Sequence, residues 1–226
     1  MKVVLIPGMD GTGTLFEPFI ELIPAGIEVV SLPLLQRSDA GYEDQARHVI
    51  GSIGEQPIIL VAESYSGMVS YNMLTMVCSN IQHVVFAAGF ITRPSGLVSL
   101  AKYLPIGFLK SRAVPRSLVG KFVFGKFSSP ELVELFYGSL HSVSNDVLKS
   151  RLRQIAMLPV PWIPISVPCT YIRPKRDKLV SKRAIEPFQN LCQKLEVCEV
   201  DGTHFVLQTN PGQCWQVVQS AIVQHI

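Results

Sequence analysis

The stretch that most constrains this chain is Ile58-Ile59-Leu60-Val61-Ala62-Glu63-Ser64-Tyr65-Ser66-Gly67. Its apolar start has the length and β-branched content of a strand buried on both faces, and Gly67 to Leu74 continues with helical character. Strand, sharp turn and helix in that order hold a serine in strained backbone geometry and lift its hydroxyl above a sheet. Ala62 and Ser66 stand where bulkier side chains would clash across the turn, although the usual pattern has glycine at both places. Ser64 is therefore a candidate nucleophile. The competing reading is a buried strand followed by a helix with an incidental serine.

With 226 residues, 48% of them hydrophobic, the chain can bury one substantial core, and one domain with an insertion is expected. It holds no run of eighteen uncharged apolar residues, and the apolar start Val3-Val4-Leu5-Ile6 is too short for a signal peptide, so a soluble, cytoplasmic protein without a transmembrane segment is expected. The five cysteines, Cys78, Cys169, Cys192, Cys198 and Cys214, are odd in number and lack C-x-x-C spacing. They read as reduced, mostly buried residues rather than as disulfides or a zinc site.

Apolar runs at Lys2–Ile6, Glu28–Pro33, Ile58–Val61 and His83–Gly89 alternate with helical patterns at Phe16–Ile23, Tyr42–Ile53 and Gly67–Cys78, the signature of a doubly wound parallel sheet. The loop Pro7-Gly8-Met9-Asp10-Gly11-Thr12-Gly13-Thr14 is glycine-rich but has neither G-x-G-x-x-G nor G-x-x-x-x-G-K, so it is a weak nucleotide site; exposing a backbone N–H to a reacting oxygen is its other use. The alternation breaks between Thr92 and Val160, where helix-like pieces at Gly96–Leu104, Ser117–Phe124, Pro130–His141 and Asn145–Met157 suggest a helical cap. That segment carries ten basic and three acidic residues, a net of +7, whereas the remainder carries −4. A surface unit with its own charge sign attracts an anionic partner or substrate. The proline-dense stretch Pro159–Pro168 returns to the sheet, strands follow at Cys169–Arg173 and Leu195–Val200 with a helix over Ser181–Leu195 between them, and a last helix runs from Asn210 or Pro211 to Val223.

Ser64, Asp177 and His204 each follow the end of an apolar strand, and in a parallel sheet those ends share one edge where ligand sites gather. A serine hydroxyl needs a histidine to take its proton and a carboxylate to fix the imidazole's tautomer. Asp201 competes with Asp177 but lies three residues before His204 and would have to fold back. His48, His83, His141 and His225 follow no strand end. Asp10 is expected to brace its own turn, and Glu63 is left between lining a pocket and pairing on the surface.

Over nearly its whole length the chain resembles the α/β-hydrolase family, on Pro7-Gly8-Met9-Asp10-Gly11, Ala62-Glu63-Ser64-Tyr65-Ser66-Gly67, Arg176-Asp177-Lys178-Leu179-Val180 and Gly202-Thr203-His204-Phe205. The resemblance implies a shortened, mostly parallel six-stranded sheet with helices on both faces, a core of residues 1–91 and 161–226, and a cap (lid) over 92–160. It also implies a Ser64, Asp177 and His204 triad, with an oxyanion hole at the backbone N–H groups of Met9 and Tyr65. Pro7 departs from the histidine of many members, and the chain starts at what is usually the third strand.

The activity implied is hydrolysis of carboxylic esters without metal or cofactor. Acyl transfer, thioester hydrolysis and a non-catalytic binding protein of the same fold are the alternatives. Apolar cap residues such as Leu97, Leu100, Leu104, Phe108, Leu109 and Phe122, with the basic Arg112, Arg116 and Lys121, suit an acyl chain with an anionic end. This arrangement is similar to the pimeloyl-carrier-protein methyl ester esterases. A small-molecule or carrier-bound acyl ester is the expected substrate, an acyl carrier protein the partner at the basic cap, and no nucleic acid partner is indicated. An ordinary solvated basic face is the competing reading.

Overall fold

In a computed structural model that describes residues 1–76, 79–94, 110 and 115–225, six strands form one sheet: β1 (Lys2–Ile6), β2 (Glu28–Ser31), β3 (Ile58–Glu63), β4 (Ile81–Ala87), β5 (Cys169–Pro174) and β6 (Leu195–Val200). The order is β2-β1-β3-β4-β5-β6 and every pair is parallel, so the expected "mostly parallel" sheet is wholly so. From β1 the chain moves outward to β2 and then crosses back to β3. That reversal opens a crevice between the carboxyl ends of β1 and β3. Ile6 is in register with Ala62, which sets the loop after β1 beside the turn that carries Ser64.

Among the described residues the helices are α1 (Glu17–Ile20), α2 (Tyr42–Ile53), α3 (Ser66–Thr75), α4 (Arg116–Val123), α5 (Pro130–Ser142), α6 (Asn145–Ala156), α7 (Glu186–Leu191), α8 (Val206–Thr209) and α9 (Pro211–Val223). Alternation of side chains along the strands divides the core. Val4, Ile6, Leu60, Ala62 and Phe86 pack with α2, α3 and α7 on one face, while Val3, Leu5, Ile59, Val61 and Val85 pack with α1 and α9 on the other. Both faces are covered, so β3 is buried along its full length. Each such valine or leucine contributes roughly 1.5–3 kcal/mol relative to an exposed one.

Helix α3 sits directly on backbone. A Cβ on Gly67 would lie 2.7 Å from the carbonyl oxygen of Phe90, so glycine alone permits that approach without displacement. Ser66, fully buried where the usual turn has glycine, donates its hydroxyl to the carbonyl of Pro7 and thereby pins the turn to the loop after β1.

Described parts of the segment between β4 and β5 contact the loops at the strand ends. Phe124 and Phe136 make edge-to-face contacts with Phe205, Lys126 pairs with Asp201 at 2.7 Å, and Ser139 donates to Asp10 at 2.8 Å. Ser129 and Ser144 cap α5 and α6 by accepting from the N–H groups of Leu132 and Val147. Predicted residues Cys78, Leu97, Leu100, Leu104, Phe108, Leu109 and Arg112 lie outside the described residues, as does the helix expected over Gly96–Leu104.

Two expected helices are shorter than their patterns. The first divides into a 3₁₀ turn at Thr14–Phe16 and α1, which starts at Glu17 with Pro18 in its first turn. The one over Ser181–Leu195 divides into a 3₁₀ turn at Lys182–Ile185 and α7, because Cys192 turns extended and bridges to Ile165. Among the described residues no helix is long and apolar enough to cross a membrane.

Candidate active site

Ser64 occupies left-handed backbone space at φ 51°, unfavourable for any residue with a Cβ. The turn is held on both sides: Ser64 N–H donates to Ala87 at 2.9 Å, and Gly67 N–H returns to the Ser64 carbonyl at 3.0 Å. This points the Ser64 hydroxyl away from the sheet and toward the loop after β6. There His204 Nε2 lies 2.8 Å from Ser64 Oγ, across 140 residues of sequence.

Asp177, in the loop after β5, divides its two oxygens. Oδ1 accepts from the N–H groups of Leu179 and Val180 at 2.8 and 2.9 Å, which closes the turn, and Oδ2 faces His204 Nδ1 at 2.8 Å. A carboxylate at Nδ1 places the imidazole proton there, so Nε2 carries the lone pair and Ser64 donates to it. Asp201, the sequence-level competitor, is half-buried and pairs with Lys126 and Arg176 instead.

The electrostatics favour that arrangement. Burial opposes charge on both partners, yet attraction to His204 and the two backbone donors hold the Asp177 carboxyl below its ordinary range. Burial likewise opposes the imidazolium, but Asp177, with Glu63 adding, raises His204 above its usual value. Of the two readings of Glu63, burial excludes the surface pair. It is 3% exposed. Burial first, then the charge of Asp10, pushes its pKa up to about 7, against the opposing effects of Gln208, His204 and the Gly8 N–H.

The loop after β1 closes through Gly11 N–H to the Gly8 carbonyl at 3.0 Å. Asp10 braces it as expected, accepting from the Thr12 N–H at 2.9 Å and from Ser139. Among the described residues the N–H groups of Met9 and Tyr65 have no hydrogen-bond partner. They are free to meet an oxygen.

The basic residues of α4 and α6 divide. Arg116 pairs with Glu134 and lies over the Tyr137 ring at 4.9 Å, which blunts its charge as an anion site. Lys121 has no ion-pair partner among the described residues. Phe122 is half exposed, with the Lys178 ammonium 5.9 Å from its ring, and so sits near the Asp177 loop. Arg151, counted in the sequence as part of a basic surface, is instead buried at 1% exposure. The missed signal is its spacing: Val147, Leu148, Arg151 and Ile155 share one face of α6 and all are buried.

The sequence model of the alpha/beta hydrolase family matches residues 3–217. No protein curated for function matches the chain in sequence. Solved structures do match in shape. An esterase from Exiguobacterium antarcticum superposes with a TM-score of 0.82 at 14% identity, over 97% of this chain and 91% of its own. A thermophilic esterase from Thermogutta terrifontis gives 0.80 at 13%, over 99% and 90%. A thioesterase of the prodiginine pathway in Streptomyces coelicolor gives 0.70 at 16%, over 98% and 85%. At these identities the likeness is one of fold.

The raised carboxyl of Glu63 yields a pH prediction. The folded protein keeps this proton up to about pH 7, whereas an unfolded chain releases it near 4.5. Its contribution to stability is therefore complete below pH 4.5 and lost as pH rises through 7. Wild type minus Glu63→Gln, measured by urea unfolding, should decline across that window by up to about 3 kcal/mol. A difference independent of pH would show that Glu63 does not titrate there.

Proposed function

The chain belongs to the alpha/beta hydrolase family, and from that premise we propose that it hydrolyses carboxylic esters through an acyl-enzyme on Ser64. The observation that carries the reading is the continuous hydrogen-bonded line from Ser64 Oγ through the His204 ring to Asp177 Oδ2. His204 Nε2 takes the hydroxyl proton as Ser64 attacks the carbonyl, and the ionised Asp177 steadies the imidazolium. The negative oxygen of the tetrahedral intermediate is met by the N–H groups of Met9 and Tyr65. One such donor is commonly worth about 10²–10³ in rate. The imidazolium then protonates the departing alkoxide. Water, deprotonated by the same nitrogen, releases the acid and restores Ser64.

Residues 92–160 act in this reading as a cap over the core formed by 1–91 and 161–226. Support comes from the way Phe124, Lys126 and the α5 residues Phe136 and Ser139 contact Phe205, Asp201 and Asp10 at the strand ends. The net charge of +7 across 92–160 supports an acyl substrate with an anionic end, free or on an acyl carrier protein. Because Arg116 is engaged by Glu134, Lys121 is the cation in α4 assigned to that end.

Ser64→Ala should reduce turnover of a p-nitrophenyl ester by at least about 10⁴-fold while unfolding remains cooperative. Retained activity would remove Ser64 from the mechanism. For the anionic end, Lys121→Glu should slow hydrolysis of an ester whose acyl chain ends in a carboxylate and spare a neutral ester. Equal effects on both would remove the charge preference.

A further inference from the structure

Arg151 is the large buried cation that this mechanism leaves unused. It projects from α6 with 1% exposure, and among the described residues no carboxylate forms an ion pair with it. Its two terminal nitrogens are satisfied by main chain instead, while Nε is buried without a hydrogen-bond partner. Nη1 donates to the carbonyls of Met9 and Asp10, each at 2.8 Å, and Nη2 to that of Leu35 at 2.8 Å. Asp10 attracts it from beyond ion-pair distance, but a buried cation held in this way is still costly, and an apolar side chain of the same volume would fill the space at lower cost. Its presence therefore asks for something other than stability.

The contacts say what. Met9 is held on both sides: the Gly8 carbonyl by Gly11 N–H, and its own carbonyl by Arg151. With both flanking peptide planes fixed, the direction of the Met9 N–H is fixed too. Gly11, at φ 69°, leaves room for this, since a Cβ there would lie 2.5 Å from Nη1. One turn further along α6, Gln154 accepts the Tyr65 hydroxyl at 2.5 Å, and the Tyr65 ring is stacked on Tyr42 at 4.6 Å. The Arg151 guanidinium carbon stands 5.8 Å from the centre of that same ring. Both residues assigned to the oxyanion hole in that reading are thus tethered to a single face of α6.

We propose that Arg151, seconded by Gln154, is a positioning residue that sets the oxyanion hole from the cap, so that docking of α6 and assembly of the hole are one event. The proposal rests on the esterase reading above. It assigns Arg151 no contact with substrate; the residue acts through the Met9 peptide. Loss of the clamp leaves the ground-state site in place and weakens what is made only as the tetrahedral oxygen forms. The effect therefore belongs in kcat.

The test compares wild type, Ser64→Ala, Arg151→Met and Tyr65→Phe on a p-nitrophenyl ester, together with the inhibition constant of a trifluoromethyl ketone that forms a tetrahedral adduct. Arg151→Met should lower kcat by about 10²-fold, with KM within about threefold and ketone affinity falling in parallel with kcat/KM. Tyr65→Phe, which keeps the ring and the backbone N–H, should move kcat and ketone affinity in the same direction by a smaller factor, and it carries the test if Arg151→Met does not fold. Ser64-dependent turnover with kcat and ketone affinity unchanged in the folded variants would overturn the role of Arg151 alone. So would a rise in KM with kcat unchanged. Turnover that survives Ser64→Ala would overturn the esterase reading, and this role with it.

Discussion

The left-handed turn at Ser64 is the constraint on which the rest of the site depends. Strain of this kind, commonly about 1–3 kcal/mol, persists only where surroundings over-determine it. Here they do. The Ser64 amide joins the edge of β4, Ser66 grips Pro7, and Gly67 lets α3 rest on the Phe90 backbone. The same contacts bring the β1 loop to the serine, because β1 and β3 are neighbours at the point where strand order reverses. The atypical Ala62 and Ser66 frame is thus a version of the turn in which one small residue also supplies a hydrogen bond.

A cluster of opposed charges fills the space behind that turn. Asp177 is kept ionised and His204 is raised, while Glu63, directly before the serine, sits at the border of ionisation near neutrality. On the far side of the β1 loop the Arg151 guanidinium is solvated by three carbonyls. Low dielectric makes each of these groups costly alone and strongly coupled together. Preorganised dipoles aimed at a developing oxyanion require surroundings of that kind.

How much of this was legible in the sequence follows from what each signal depends on. Strands buried on two faces announce themselves by composition, and helix α2 by its period; α2 spans the expected Tyr42–Ile53, and β3 starts at the expected Ile58 but runs two residues past Val61. The meeting of Ser64, Asp177 and His204 was legible because parallel strand ends share an edge. What escaped depends on the partner rather than on the residue. Arg116 reads as a free cation until α5 brings Glu134 beside it, Glu63 is undecided until the sheet closes over it, and Arg151 reads as surface charge despite its apolar neighbours on α6. The helix over Ser181–Leu195 failed for the same reason, since a bridge from the distant Ile165 ends it early.

The central claim is that Ser64 is an activated nucleophile, and a fluorophosphonate probe tests it without knowledge of the substrate. Incubation of the full chain followed by peptide mass mapping should give one adduct per chain, on Ser64, with labelling slowed by several orders of magnitude in a folded His204→Gln variant. No adduct, an adduct on another residue, or labelling at the same rate in that variant would contradict it.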